Sequence, residues 1–322
     1  MDLIENYKND FIAYLNEKVE VKQPINLYEP IHYILQLGGK RLRPVLTLMT
    51  CEIFDGEVKQ AFDAALAIEV FHNFTLIHDD IMDSADLRRG KETVHKKWDL
   101  NTGILSGDAL MIQSNQRLEY YEGKTFKELI SLYNKTALEV CEGQQLDMDF
   151  ETMQQVDLDE YLKMISYKTA VLVGASLKMG AIICGASLED QNRIYNFGLN
   201  LGIAFQLQDD YLDTFGAQDF GKKIGGDIVE SKKTFLYIKV LELADSKDKE
   251  HVLNLYGNAY DEDKKISEVK SIFLKYGVAE LLLSEIEKFT IKALADIDAL
   301  SLDVSKQQLL KDFAMSLMTR KT

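Results

Sequence analysis

The sequence contains little proline. Pro24, Pro30 and Pro44 are the only prolines among 322 residues, so the 278 residues that follow Pro44 contain none (322 − 44 = 278). A proline inside a helix costs about 3 kcal/mol, because it removes a backbone donor and clashes with the preceding turn. The long stretch without proline therefore favours a mainly helical protein.

Cysteine is also scarce. Cys51, Cys141 and Cys184 are far apart in the sequence and show neither the pattern of a disulfide framework nor a zinc-ligand spacing. The opening residues, Met1–Asn6, are acidic and polar and do not resemble a secretory signal. These features predict a protein of the reducing cytoplasm.

Basic residues are in the minority. The chain has 37 Lys and Arg against 52 Asp and Glu, which gives a net charge of −15. This balance argues against general binding to nucleic acids or anionic membranes. The most apolar run, residues 169–188, contains Lys178 and lacks basic or aromatic flanks, so it predicts a buried helix and no membrane span.

Apolar residues recur every three or four positions through most of the chain, with little strand-like alternation. The pattern predicts a single all-α domain over residues 1–322, built as a large helical bundle with short loops. Clear helices are predicted for residues 62–86, 103–122, 125–148, 158–186, 188–215 and 231–244.

Two aspartate-rich motifs lie within these helices. The first, HDDIMD, contains Asp79, Asp80 and Asp83, with His72 seven residues before Asp79. The second, QLQDDYLD, contains Gln206, Asp209, Asp210 and Asp213. Because residues three or four apart share a helix face, each motif places several carboxylates side by side.

Each motif by itself could be a solvated acidic surface. Apolar residues precede both motifs, however, and like charges at this spacing repel unless a cation neutralises them. Carboxylate oxygens suit Mg²⁺, which completes its coordination shell with water and substrate phosphates. The pair of motifs therefore predicts several Mg²⁺ ions bound to a diphosphate.

Scattered cations could bind the phosphates. The segment GGKRLRP (residues 38–44) joins glycines and cations to a helix start, where backbone N–H groups favour anions. Arg88 and Arg89 follow the first motif, and Lys168 opens the apolar run, where an unpaired buried lysine would be costly without a bound anion. A basic surface loop or turn is the simpler alternative for the first two groups.

Residues 216–233, GAQDFGKKIGGDIVESKK, read as a mobile basic lid. They come close to a nucleotide-binding loop, but Lys223 stands where that loop has Ser or Thr, and a helix precedes it instead of a strand. A nucleotide site is therefore not expected.

These motifs, in this order, resemble the trans-isoprenyl diphosphate synthases of the polyprenyl synthetase family, over roughly residues 30–240. GGKRLRP, HNFTLIHDDIMD, DLRRG, YKTA, FQLQDDYLD and GKKIGGDIVESKKT carry the resemblance. It implies an all-α bundle around a central substrate cavity and a homodimer. It also implies condensation of isopentenyl diphosphate with an allylic diphosphate.

The resemblance also implies residue roles. Isopentenyl diphosphate would bind Lys40, Arg43, His72 and Arg89. The Mg²⁺ ions on the allylic diphosphate would bind Asp79, Asp80, Asp83, Asp209, Asp210 and Asp213. The allylic diphosphate would also contact Arg88, Lys168, Lys223 and Lys232, and Thr169 and Gln206 would line the reacting region. The register of Lys222 against Lys223, and of Lys232 against Lys233, stays open.

In this family, bulk before the first motif limits the product. Phe74 and Thr75 stand there, and the resemblance implies a geranylgeranyl (C20) product. A farnesyl (C15) product is the nearest alternative. Helix geometry gives only partial support to Phe74, which lies about 140° around the axis from Asp79, and Phe74 as an ordinary core residue stays open. A class I terpene cyclase and a non-catalytic partner subunit are less favoured, because the isopentenyl-site cations and both motifs are present.

Overall fold

A computed structural model describes residues 2–216 and 224–319 of the chain, and most of these residues are helical. The helices span, in order, α1 Asp2–Lys18, α2 Ile25–Gln36, α3 Leu42–Ile53, α4 Phe62–Met82, α5 Val94–Lys97, α6 Leu100–Arg117, α7 Gly123–Thr152, α8 Leu158–Ile165, α9 Val171–Ile183, α10 Leu188–Phe215, α11 Gly226–Val229, α12 Phe235–Leu243, α13 Ser246–Gly257, α14 Glu262–Lys275, α15 Val278–Asp298 and α16 Val304–Met318. Short 3₁₀ turns span Val58–Ala61 and Leu118–Tyr120, and a π-helical turn spans Ser166–Ala170. In the described ranges the only strands, β1 Leu87–Arg88 and β2 Lys91–Glu92, form one small antiparallel pair. The predicted all-α fold is confirmed.

The predicted helices exist, but several of their boundaries were wrong. Helix α4 ends at Met82 and not at residue 86, because Ser84 adopts a positive φ of 51°. The helix predicted over 158–186 is interrupted by the π-helical turn and ends at Ile183. The helix predicted to begin at residue 231 begins at Phe235.

Aspartate side chains start many of the helices. Asp99 accepts a hydrogen bond from the backbone N–H of Thr102, and Asp157 forms a reciprocal capping box with Glu160. Asp245, Asp261 and Asp303 cap α13, α14 and α16 in the same way. Because a carboxylate satisfies an otherwise unpaired N–H at the positive end of the helix, such caps fix where each helix begins.

The chain divides into two compact units. Unit 1 comprises residues 1–135 and 175–192. Its α4 is buried along most of its length, from Ala64 to Ile77, and α3 is buried from Pro44 to Cys51. Thr47 of α3 donates a hydrogen bond to the carbonyl oxygen of Ser176 in α9 at 2.9 Å, so these two helices pack closely.

Unit 2 comprises residues 136–174 and 193–322. Its core collects buried side chains from the helices of this unit, including Tyr161, Phe235 and Phe273. The second aspartate motif lies on α10 within this unit. In the part of the chain that the structure describes, no helix is long and apolar enough to cross a membrane.

Candidate active site

The first aspartate motif occupies the end of α4 in unit 1. Asp79 is partly buried, Asp80 is 1% exposed, and Asp83 is exposed as the C-cap residue. The backbone N–H of Asp83 donates to the carbonyl oxygen of Asp79 at 2.8 Å, so these two residues stand one turn apart. The three carboxylates therefore differ in environment: the middle one points into the protein.

Asp80 is bound by Arg88. The Arg88 Nε lies 2.7 and 2.8 Å from the two carboxylate oxygens, and a terminal nitrogen lies 2.6 Å from Oδ1. Arg88 is held there by the β1–β2 hairpin, whose two loop residues, Arg89 and Gly90, both have positive φ, as type I′ turns require. The ion pair joins the first motif to the arginine that follows it.

Arg89 lies over the glycine turn that precedes α3. Its guanidinium donates to the carbonyl oxygen of Gly38, and a Cβ on Gly39 would come within 2.8 Å of the same group. Gly39 has a φ of 121°, a conformation that a side chain would strain. The turn and the arginine are thus fitted to each other, with the exposed Lys40 next in the chain.

Arg43 and His72 are neighbours, as their predicted shared role requires. A terminal nitrogen of Arg43 lies 3.3 Å from His72 Nε2. Arginine can only donate, so this contact requires a neutral imidazole whose Nε2 accepts. Burial, together with the positive charges of Arg43 and Arg89, holds the pKa of His72 well below its usual range.

The residues that hold this turn in place were not predicted from the sequence. Arg41, only 5% exposed and at a positive φ of 50°, pairs with the buried carboxylate of Glu69 and donates to the carbonyl oxygen of Leu35. Asn73 also donates to Glu69, at 3.2 Å. Glu69 and Asn73 lie on the apolar helix α4. An acidic residue within such an apolar run could have indicated a buried ion pair.

The two proposed chain-length residues lie on α4, before the aspartates. Phe74 is 7% exposed and packs against Phe71 and His78, with ring centroids 5.4 and 4.9 Å away. Thr75 is partly buried and donates its hydroxyl hydrogen to the carbonyl oxygen of His72 at 2.8 Å. Phe74 is the bulkier of the two and forms part of an aromatic cluster.

The second aspartate motif lies near the end of α10 in unit 2. Asp210 is 5% exposed and accepts hydrogen bonds from the Tyr161 hydroxyl and from Gln206 Nε2, the latter at 3.3 Å. Burial and the nearby Asp227 raise the pKa of Asp210 well above its usual range. A cation bound beside this carboxyl would favour its ionised form.

Asp213 organises the chain after α10. Its carboxylate accepts from the backbone N–H of Asp227 at 3.0 Å, and its carbonyl oxygen accepts from the N–H of Gly225 at 2.7 Å. These bonds bring Asp227, which was not predicted as a site residue, to the second motif. Asp209 is partly buried on the same helix.

Lys168 and Thr169 lie in the π-helical turn between α8 and α9. Such turns are rare and recur at functional sites. Lys168 is partly exposed and its ammonium group lies 2.5 Å from the carboxylate of Asp147 of α7, so a protein carboxylate partners it in this structure. Thr169 donates to Gln206 at 3.3 Å. Gly143 of α7 permits this packing, because a Cβ there would come within 2.3 Å of the Lys168 backbone nitrogen.

One cavity of unit 2, of about 130 Å³, gathers these groups. Its charged lining consists of Asp147, Glu151, Lys168, Asp210, Asp227, Lys232 and Lys233, beside Thr169, Gln206 and Tyr161. Lys232 lies 2.8 Å from Glu230 and 3.8 Å from Asp227, whereas Lys233 donates to the carbonyl oxygens of Phe150 and Glu151 at the end of α7. The predicted Lys223, with Lys222, lies outside the described residues.

The carboxylates of the two motifs are hard oxygen donors of the kind that Mg²⁺ prefers. In residues 2–216 and 224–319, no three His, Cys, Asp or Glu side chains are grouped so as to hold a metal by themselves. Mg²⁺ normally uses only one or two carboxylates and takes its other ligands from water and phosphate. The donor set therefore fits Mg²⁺ bound together with a diphosphate, and not a metal enclosed by protein alone.

Comparison with known proteins agrees with the motifs. The model of the polyprenyl synthetase family matches residues 24–273. A short chain isoprenyl diphosphate synthase of Methanothermobacter thermautotrophicus is 36% identical, covering 87% of this chain and 86% of the relative. A geranylgeranyl diphosphate synthase of Sulfolobus acidocaldarius is 38% identical, covering 86% and 87%.

A solved structure extends the similarity to the whole chain. The crystal structure of a geranylgeranyl pyrophosphate synthase is 51% identical and superposes with a TM-score of 0.94, covering 99% of both chains. The resemblance that the motifs predicted is thereby confirmed. The chain belongs to the polyprenyl synthetase family.

Proposed function

We propose that this protein is a Mg²⁺-dependent short-chain prenyltransferase that joins isopentenyl diphosphate to an allylic diphosphate, with geranylgeranyl diphosphate as its main product. The observation that carries the proposal is the cavity of unit 2, where three lysines and three aspartates face one space. Lysines alone would suit any anion, and aspartates alone any cation. Both together suit a diphosphate that arrives with divalent metal.

The allylic diphosphate is assigned to the aspartate motifs. When bound, Mg²⁺ neutralises the charge that develops on the departing diphosphate. Of the six aspartates expected to hold it, we propose Asp79 and Asp83 of the first motif and Asp209, Asp210 and Asp213 of the second, because Asp80 is already bound by Arg88. Lys168 and Lys232 supply direct charge to the phosphate oxygens, since each now pairs with a carboxylate that a bound diphosphate could replace.

Isopentenyl diphosphate is assigned to the cations around the glycine turn of unit 1. Burial lowers the pKa of both the Arg43 and the Arg89 guanidinium groups, and the positive charge of Arg89 lowers the pKa of Arg43 further. Glu69, the carboxylate beside them, is already bound to Arg41. A bound diphosphate would balance the remaining positive charge of Lys40, Arg43 and Arg89, while the neutral His72 adds a hydrogen bond.

The proposed reaction breaks the allylic carbon–oxygen bond, and both electrons leave with the diphosphate. The double bond of isopentenyl diphosphate then attacks the allylic cation, and a proton is lost to the released diphosphate. Lysines beside the leaving group stabilise it in the transition state more than in the bound substrate, which is what accelerates the step. Tyr161 and Gln206 position Asp210 through their hydrogen bonds.

The C20 product is supported by the names of two similar proteins and by Phe74. The ring of Phe74 is buried against Phe71 and His78 on the helix that carries the first motif, and it is proposed to limit the growing chain. A growing chain that reached this ring would be stopped there. The farnesyl product remains the alternative.

We also propose that each chain forms one enzymatic domain and that the active protein is a cytoplasmic homodimer. The exposed apolar side chains of α6 support a partner: Leu100, Ile104, Leu105, Met111 and Ile112 are each between 38% and 60% exposed. Several large apolar side chains exposed on one helix are typical of a protein interface. Light scattering during size-exclusion chromatography tests this point, and a mass of one chain would contradict it.

The reaction class is tested by substrate dependence. Farnesyl diphosphate alone should be stable with the enzyme and Mg²⁺, and addition of isopentenyl diphosphate should release inorganic diphosphate. Chelation of Mg²⁺ should abolish the release. A hydrocarbon formed from farnesyl diphosphate alone would indicate a terpene cyclase instead, and no turnover under any condition would indicate a non-catalytic subunit.

A further inference from the structure

Two cysteines that lie far apart in the sequence meet in unit 1. Cys51 is in the last turn of α3, and Cys184 directly follows α9. Their sulfur atoms are 2.9 Å apart, and the Cys184 sulfur also lies 3.1 Å from the carbonyl oxygen of Cys51. Both are reduced thiols in this structure. We propose that Cys51 and Cys184 are a redox modification site, which a peroxide converts to an intramolecular disulfide.

The separation of the sulfurs supports bond formation. A disulfide bond is about 2.05 Å long, so the sulfurs need to approach by only about 1 Å. If the two thiols only filled space, their sulfur atoms would lie about 3.5–4.0 Å apart, as apolar atoms usually do. Little movement of the two helices is therefore required.

Neighbouring backbone holds the pair in place. A Cβ on Gly56 would come within 2.1 Å of the Cys184 sulfur and 2.8 Å of the Cys51 sulfur, so this glycine covers both. Gly180 of α9 brings the two helices together, since a Cβ there would lie 2.5 Å from the carbonyl oxygen of Thr47. The close approach is thus part of the packing of α3 and α9.

The two thiols differ in access. Cys51 is 0% exposed, whereas Cys184 is partly exposed and can meet a small oxidant. The neighbouring Cys51 thiol lowers the pKa of the Cys184 thiol. The pKa of Cys51 is raised by its contact with Cys184 and by burial. Cys184 is therefore the attacking thiolate and Cys51 the resolving thiol.

The chemistry balances with one peroxide. The Cys184 thiolate attacks hydrogen peroxide, which breaks the O–O bond and gives a sulfenic acid and hydroxide. The Cys51 sulfur then attacks the sulfenic sulfur, the S–S bond forms, and hydroxide leaves and takes up the thiol proton as water. Two thiols are oxidised and one peroxide is reduced, and a dithiol reductant reverses the change. Such transient bonds are the kind expected in a reducing compartment.

The test uses the full-length protein and the Cys141→Ser variant, which removes the exposed third cysteine and leaves the pair intact. After mild hydrogen peroxide treatment and alkylation, peptide mapping without reductant should find Cys51 joined to Cys184 in both proteins. The thermal midpoint should rise by about 5–10 °C, since the bond closes a loop of more than a hundred residues, and dithiothreitol should reverse the rise. The Cys184→Ser variant should show no rise.

Two outcomes would overturn the proposal. In the first, Cys184 is oxidised to sulfinic acid and Cys51 is still a free thiol that is alkylated once the protein is denatured. The other is a disulfide that always involves Cys141, seen as covalent dimers that the Cys141→Ser variant lacks. If Cys184→Ser does not fold, the peptide map of the Cys141→Ser protein still decides between these outcomes.

Discussion

The side chain of Arg88 is bound across the carboxylate of Asp80, with its Nε 2.7 and 2.8 Å from the two oxygens. Asp80 is almost completely buried, whereas Arg88 retains some exposure to solvent. The middle aspartate of the first motif therefore already has a cationic partner within the protein. We infer that it orients the β1–β2 hairpin, and that Asp79 and Asp83 are the residues of this motif that meet the metal.

This division predicts different effects for two matched variants. Asp80→Asn should lower the free energy of unfolding by about 1–3 kcal/mol, because Arg88 loses its charged partner in a buried setting. Asp83→Asn, at an exposed position, should leave stability within about 0.5 kcal/mol and lower kcat at least tenfold. Chemical denaturation and steady-state kinetics measure both. Equal destabilisation by the two variants would contradict the division.

The position of His72 predicts a pH dependence of stability. Its pKa in the folded protein lies well below its usual range, so at mildly acidic pH the unfolded chain binds a proton that the folded chain does not. Stability from this group is complete above about pH 6.5 and is lost as the pH falls below that value. Between pH 8 and 5.5, wild type should lose about 1 kcal/mol more than His72→Gln. Identical pH profiles for the two proteins would show that His72 titrates normally.

Phe74 should control product length. Phe74→Ala removes a buried ring from the helix that carries the first motif and should shift products towards longer chains. Phe71→Leu is the control, because it loosens the same aromatic cluster one turn earlier while keeping a bulky side chain. Reversed-phase chromatography of the dephosphorylated products makes the comparison. An unchanged distribution in Phe74→Ala, or the same shift in both variants, would show that Phe74 is only a core residue.

The adjacent lysines after α11 should separate binding from stability. Lys232 pairs with side-chain carboxylates, whereas Lys233 is hydrogen-bonded to two carbonyl oxygens at the end of α7. Lys232→Ala should therefore raise the KM for the allylic diphosphate severalfold with little change in thermal midpoint. Lys233→Ala should lower the thermal midpoint. The reverse pattern would assign the substrate contact to Lys233.

Much of the fold could be predicted because it is local. Regular apolar spacing indicated the long helices, and the absence of proline after Pro44 agreed with them. The ends of the helices were predicted less accurately, because they depend on single residues. The positive φ of Ser84 ends α4 four residues earlier than the apolar pattern suggested. The π-helical turn at Lys168 was not predicted, because it adds only one residue within a run that is helical on both sides.

The site residues that are close together in the sequence were predicted, whereas contacts between residues far apart in the sequence were not. Motif residues stand close together in sequence, so their grouping on a helix could be read directly. Asp147, the partner of Lys168, lies 21 residues away, and the meeting of Cys51 with Cys184 spans 133 residues. Gly143, an isolated glycine within a helical pattern, packs against the backbone of Lys168 and could have indicated the first contact. No comparable clue marked the cysteines, whose proximity comes only from the packing of α3 on α9.

Chain elongation to C20 is tested most directly by the product formed from each allylic starter. Purified enzyme with Mg²⁺ and labelled isopentenyl diphosphate should be supplied in turn with dimethylallyl, geranyl and farnesyl diphosphate, and the products sized by chromatography. We expect geranylgeranyl diphosphate as the main end product from each starter, with farnesyl diphosphate itself consumed. Accumulation of farnesyl diphosphate that is not extended, or products that continue well beyond C20, would contradict it.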